Sequence, residues 1–296
     1  MLPALLITFR ETLEAALIVG IVLSYLARTR QTRYNAVIYV GVAAGVVASA
    51  LGALLFEWIA GGFTGRAEQL FEGVTMLAGA ALLTTMILWM IRQSRVAAEL
   101  EQRVATELSE AHRFGLFALI FVAVLREGIE TVIFLGAAAF VSGDNSLVGA
   151  LLGIVLAMAL GYALFVGSLR INLRKFFTVT NVLLILFAAG LVAHGVHELQ
   201  EAGAIPIIVE HVWDINPPAG AEGSYPLLHE NGAVGSILKG LFGYNGNPSL
   251  MEVASYALYL LAAGVAWAKA GRQKISDISV AVEKAPAGEA RPSDIK

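Results

Sequence analysis

The chain has 296 residues, 57% of them hydrophobic and only 15% charged, with a net charge of −3 and a mean hydropathy of +0.73. Soluble domains carry about 25% charged residues, so this composition excludes a large soluble core, and the absence of any basic tract excludes nucleic acid as a partner. With no cysteine there are no disulfides, iron–sulfur clusters or thiolate metal sites.

The apolar residues fall in blocks of about 20, the length that crosses roughly 30 Å of hydrocarbon as a helix. The first block, 2–27, lacks a basic leader and a cleavage site and carries Arg10, Glu11 and Glu14, so it reads as a membrane helix and not a signal peptide. Further spans are predicted at 36–59, 69–91, 114–141, 147–169 and 176–199. Residues 92–113 read as a cytoplasmic helix with a solvated face, its pairs Arg95–Glu99, Glu99–Arg103 and Arg103–Glu107 spaced i,i+4. An outer loop, 200–248, leads to a seventh span at 249–269, which has Glu252 near its start. A membrane domain over 1–270 is thus expected, followed by a disordered cytoplasmic tail at 271–296, rich in Ala, Ser, Pro and charge. Trp58, Trp89, Trp213 and Trp267 lie near predicted span ends, where interfacial anchors sit.

Sixteen of the 20 Lys and Arg residues fall in the connections after spans 1, 3 and 5 and in the tail, and only Arg66 and Lys239 fall on the other side. Cytoplasmic loops retain such charges. The N-terminus is therefore expected outside, the C-terminus in the cytoplasm, with an odd number of spans.

The chain also repeats itself. FRETLEAALIVG (9–20) aligns with LREGIETVIFLG (125–136) at an offset of 116, VGVAAGVV (40–47) with VGALLGIV (148–155), and ASALGALLF (48–56) with AMALGYALF (157–165). The pairs Gly41/Gly45 and Gly149/Gly153 are GxxxG patterns, which let helix backbones approach closely. Repeat A spans about 1–91 and repeat B about 114–199, with the match between spans 3 and 6 inferred from order alone. Three spans is an odd number, so the second copy enters the membrane from the other side. The expected fold is an all-α polytopic membrane protein of seven helices, a three-plus-three inverted repeat plus one, with a substrate site near mid-depth.

Each repeat carries one RExxE motif at membrane depth: Arg10, Glu11 and Glu14 in span 1, and Arg126, Glu127 and Glu130 in span 4. The first lies roughly 12–18 Å along its helix at 1.5 Å per residue. Glu residues at i and i+3 share a helix face, so two pairs on antiparallel helices can form one cage of four carboxylates, with each Arg holding its neighbours. On a soluble helix such a motif is ordinary surface salt-bridging. At a span centre each ionised residue costs roughly 2.5–3.5 kcal/mol. Two Arg against four Glu leave an excess of two negative charges, which a bound cation would balance. Carboxylates suit hard ions, and ligand type alone leaves Mg, Ca, Mn and iron open. Met76, Met86 and Met90 in span 3 read as packing.

FRETLE and LREGIE, one per half, resemble the paired RExxE motifs of the high-affinity iron permease family, Ftr-type in fungi and EfeU-like in bacteria. The resemblance extends through HELQEAG (197–203), WDINP (213–217) and GLFGYNGNPSLMEVASYALY (240–259), nearly to the tail. It implies iron as the transported substrate, no cofactor, Glu11, Glu14, Glu127 and Glu130 as iron-site residues, and Arg10 and Arg126 as their supports. It also implies periplasmic iron-binding or oxidase/peroxidase proteins as partners, and an inner-membrane location. An importer of another divalent cation such as Mn, or a membrane-embedded di-metal oxidoreductase, would use the same carboxylates. At the outer span ends, Glu68 and Glu72 on one side and His194, His197 and Glu198 on the other suggest a vestibule that concentrates cations, with Glu72 facing His197 and Glu198.

Overall fold

A computed structural model describes residues 1–92, 96–109, 113–142, 147–165, 173–216, 225–230, 232 and 234–283. The described residues form helices and connecting loops, with no strand among them. The helices are α1 (Leu2–Arg28), α2 (Asn35–Ala60), α3 (Arg66–Arg92), α4 (Val96–Ser109), α5 (Arg113–Ser142), α6 (Leu147–Phe165), α7 (Leu173–Glu201), α8 (Gly235–Phe242) and α9 (Leu250–Glu283), with a 3-10 turn at Thr32–Tyr34.

Five helices, α2, α3, α6, α7 and α9, contain stretches long and apolar enough to cross a membrane. α1 and α5 are as long, at 27 and 30 residues, but each carries an Arg and two Glu in mid-length. α2, α6 and α9 turn large apolar side chains such as Leu51, Leu54, Leu151, Leu258 and Leu261 outward, an arrangement that suits lipid tails and not water.

Glycines set the close contacts. α1 packs chiefly on α6, α2 on α5, and α3 on α7. A Cβ at Gly153 would collide with the Thr8 hydroxyl and the Leu5 carbonyl, and one at Gly45 would meet Val124 at 2.8 Å. Likewise Gly20 abuts the Phe165 ring and Gly136 the Phe56 ring. The repeat alignment carries each contact onto its counterpart: Thr8 onto Val124, Gly45 onto Gly153, Gly20 onto Gly136, Phe56 onto Phe165. In both helix pairs the residue numbers rise together, so α1 runs parallel to α6 and α2 parallel to α5. α3 and α7 run antiparallel and cross where Gly73 and Gly195 meet each other's carbonyls.

Two apolar clusters fill the interior. One, with Ile7, Met76, Leu83, Phe134, Phe187 and Leu191, joins α1, α3, α5 and α7. The other joins the far end of α1 and the start of α2 to the start of α5 and to α4, which inserts Val104 and pairs Glu101 with Arg28. α4 is thus docked by one face. Arg95 and His112 lie outside the described residues, as do residues 284–296 of the tail. One expectation is corrected. α9 continues to Glu283, so 271–283 is helical where a disordered tail was expected: after Gly271 the sequence to Glu283 holds neither Gly nor Pro to end the helix. Trp89 lies beneath the Arg126 guanidinium, 5.3 Å from the ring centroid, so it serves the interior as well as the span end.

Candidate metal centre

The acidic motifs lie on α1 and α5, where the 3.6-residue period puts Glu11 with Glu14, and Glu127 with Glu130, on shared faces. Each Arg spans its own pair. On α1, Arg10 Nη1 donates to Glu11 Oε1 at 2.7 Å and its Nη2 lies 2.9 Å from Glu14 Oε1. The second contact is an attraction between charges without hydrogen-bond alignment, since both atoms lack a hydrogen-bond partner. On α5, Arg126 Nε donates to Glu130 Oε1 at 3.0 Å and Nη2 lies 3.4 Å from Glu127 Oε1.

The two halves are not alike in their surroundings. Arg10 is sealed, at 0% exposure, and its Nη1 also approaches Met86 Sδ at 3.0 Å. Arg126 is 46% exposed. Met86, expected as packing, therefore also contacts the motif, because a thioether is a weak acceptor as well as an apolar filler.

Across the helix interface, Glu11, Glu14 and Glu127 each offer an oxygen, all within 4.8 Å of one another. This is the only such group of three among the described residues. Glu130 stands outside the trio. One oxygen each of Glu11, Glu127 and Glu130 is buried with no hydrogen-bond partner among the described residues. Unpartnered buried carboxylate oxygens are costly, and crowded like charges add to the cost. A cation placed among them would relieve both.

Toward the C-terminal end of α5, beyond Glu130, stand Phe134, Ala137 and Ala138, buried in the first apolar cluster. Beyond this layer Phe140 and Val141 border a cavity of about 460 Å³ that is lined by His194, His197, Glu198 and residues of the loop before α9. Glu72 has Glu198, Glu68 and Glu201 as its charged neighbours. His197 lies between two carboxylates, with Nδ1 3.1 Å from Glu252 and Nε2 3.2 Å from Glu201.

Glu252 was not among the candidate residues, yet it organises this end of the molecule. It is buried, receives hydrogen bonds from the Asn245 amide and the Ser249 N–H, and forms a reciprocal box with Ser249 at the start of α9. The S-x-x-E spacing at 249–252 is a capping-box signature readable in the sequence. Glu230 was also missed. Burial pushes its carboxyl up, but the Lys239 ammonium at 3.1 Å and the Gly246 N–H outweigh this and hold it below the usual carboxylate range.

Residues 1–275 match the model of the iron permease FTR1 family. The chain is 38% identical over 269 residues to the ferrous iron permease EfeU of Shigella sonnei, which covers 89% of this chain and 94% of that protein. Its counterpart in Escherichia coli O157:H7 matches equally, and the one in Yersinia pestis is 37% identical over 264 residues, covering 87% and 90%. No solved structure matches.

Proposed function

Since the chain belongs to the iron permease FTR1 family, we propose that it imports iron, in the ferrous form named for its relatives, across a cytoplasmic membrane. Glu11, Glu14 and Glu127 bind the ion at mid-depth, Glu130 is their fourth carboxylate, and Arg10 and Arg126 hold them. The chain is a transporter and not an enzyme, as its relatives are named permeases. The observation that carries the site is the trio of carboxylates from two helices, within 4.8 Å, with unpartnered oxygens.

In this reading α1 and α5 are the sixth and seventh spans. Their charges are tolerated because they face one another and the ion instead of lipid. The matched glycine contacts support the inverted repeat, and the outer cavity with its acidic residues collects ions before they pass the apolar layer at Phe134. Glu68 and Glu72 belong to that outer vestibule.

The test is ferrous iron uptake into proteoliposomes holding an internal chelator. Glu14→Gln and Glu127→Gln should reduce uptake to that of empty vesicles. Uptake at the wild-type rate by either would overturn the site. An all-oxygen trio also suits Mn, so excess Mn is included as a competitor: iron uptake unaffected by it marks a pathway selective for iron.

Orientation has its own check. The chain has no cysteine, so a single one placed at Ile208 should react in intact cells with an impermeant thiol reagent, and one at Gln31 should not. Labelling at Gln31 instead would reverse the direction.

A further inference from the structure

The outer cavity is lined by three imidazoles, those of His194, His197 and His211, and only that of His194 is buried. His194 is 9% exposed, lies on α7 within the cavity wall, and places Nδ1 3.1 Å from the Gly190 carbonyl. A carbonyl oxygen only accepts, so Nδ1 carries the proton and the neutral ring has its lone pair on Nε2. Nε2 meets no hydrogen-bond partner among the described residues, and it is not one of the fully enclosed orphan atoms. The ring's small exposed area is therefore the edge that faces the cavity. A metal-binding histidine is typically fixed in this way, with its other nitrogen donating to a backbone carbonyl.

The carboxylates around it sort by what already holds them. Glu252 is taken by His197, Asn245 and Ser249, Glu230 by Lys239 and Gly246, and Glu201 by Gln69 and His197. Glu198, one helical turn beyond His194 on α7, and Glu210, exposed on the following loop, have no side-chain donor in this network, and of the two only Glu198 shares a helix with His194. Residues spaced i and i+4 share a helix face, so Nε2 of His194 and the Glu198 carboxylate stand on one side of α7.

We propose that the outer cavity holds a second divalent-cation site, with Nε2 of His194 as its nitrogen ligand, Glu198 as its carboxylate ligand, and water completing the sphere. A cavity of about 460 Å³ has room for a largely hydrated ion, at roughly 30 Å³ per water. No three protein ligand atoms close to within 4.8 Å here among the described residues, so the ion keeps most of its waters and exchanges readily. The Lys239 ammonium on the cavity wall is neutralised by Glu230 at 3.1 Å. His197, engaged at both ring nitrogens, is a clamp between α7 and α9 and not a ligand. The site's existence is independent of the central carboxylates; only its role in handing on the transported ion rests on the transport reading.

The two sites differ in one measurable way, because the central trio offers oxygen alone. Mn(II) added to the purified full chain is followed by electron spin-echo envelope modulation, which detects a directly bound imidazole nitrogen. Nitrogen coupling is expected in the unmodified protein, in Glu14→Gln/Glu127→Gln and in His197→Ala. It should vanish in His194→Ala, and Glu198→Gln, which preserves shape, should weaken binding at the nitrogen-coupled site by about ten-fold or more. Absence of nitrogen coupling in the unmodified protein, its survival in His194→Ala, or its loss in His197→Ala would each overturn the proposal. Failure of the central-site reading would appear separately, as unchanged iron uptake in Glu14→Gln/Glu127→Gln.

Discussion

Arg10 and Arg126 occupy equivalent motif positions, yet one is sealed against Met86 while the other is half open above Trp89. That difference separates their expected mutants. A lysine carries one compact ammonium and cannot span two carboxylates as a planar guanidinium does. Arg10→Lys should leave Glu11 or Glu14 without its partner where Arg10 and Glu11 are sealed from water, and breaking a buried pair costs about 3–5 kcal/mol. Iron uptake should fall by at least about ten-fold. Arg126→Lys should cost only a few-fold, since solvent screens much of its charge. Initial uptake rates at matched protein content compare the two, and an equal or reversed ranking would contradict the difference in burial. The motif itself was legible in the sequence, because i and i+3 spacing fixes which side chains share a face. The unequal burial was not, because it depends on where α3 places Met86 and Trp89. Glu252 was readable in principle from its capping box, but its buried role needed His197 and Asn245, which are distant in sequence.

Helix lengths followed the hydrocarbon thickness, so the expected spans and the observed helices agree to within a few residues at most ends. α8 escaped notice because eight residues starting at Gly235 make no run long enough to stand out as a span. Packing between helices was legible through small residues. Gly153 lies against the Leu5 carbonyl and the Phe9 backbone nitrogen, the latter at 2.9 Å from a would-be Cβ, and a backbone cannot rotate aside. Gly264, on α9, has nothing within 4 Å. Gly153→Ala should therefore destabilise the protein by about 1–3 kcal/mol through overpacking, whereas Gly264→Ala should be neutral or slightly stabilising, because alanine is the better helix former. Thermal unfolding of the two variants in the same detergent measures this. Equal melting temperatures would mean that α1 and α6 do not pack as closely as Gly153 requires.

For the whole molecule the informative fact is that the carboxylate trio is lopsided. It takes both Glu from α1 but only Glu127 from α5. The repeat alignment maps Glu11 onto Glu127 and Glu14 onto Glu130, so the same trio seen from the other repeat is Glu127, Glu130 and Glu11. Two packings related in this way are what alternating access by an inverted repeat requires. Glu11 and Glu127 would serve in both states, while Glu14 and Glu130 take turns. In the proposed cycle the apolar layer around Phe134, which lies between the carboxylates and the cavity at His194, is the closed outer gate, so the present arrangement would be the state in which Glu14 holds the ion. Glu14→Gln and Glu130→Gln should then both abolish uptake, since each breaks one half of the cycle. Equilibrium binding should separate them. Each variant keeps one intact trio, so each should still bind, but in opposite states, and a thiol placed at Phe134 should become accessible from outside only when the layer opens. Its labelling on iron addition should rise in Glu14→Gln, where the intact trio includes Glu130, and fall in Glu130→Gln. Transport at the wild-type rate by Glu130→Gln, or identical labelling in the two variants, would show that Glu130 plays no part in the second state.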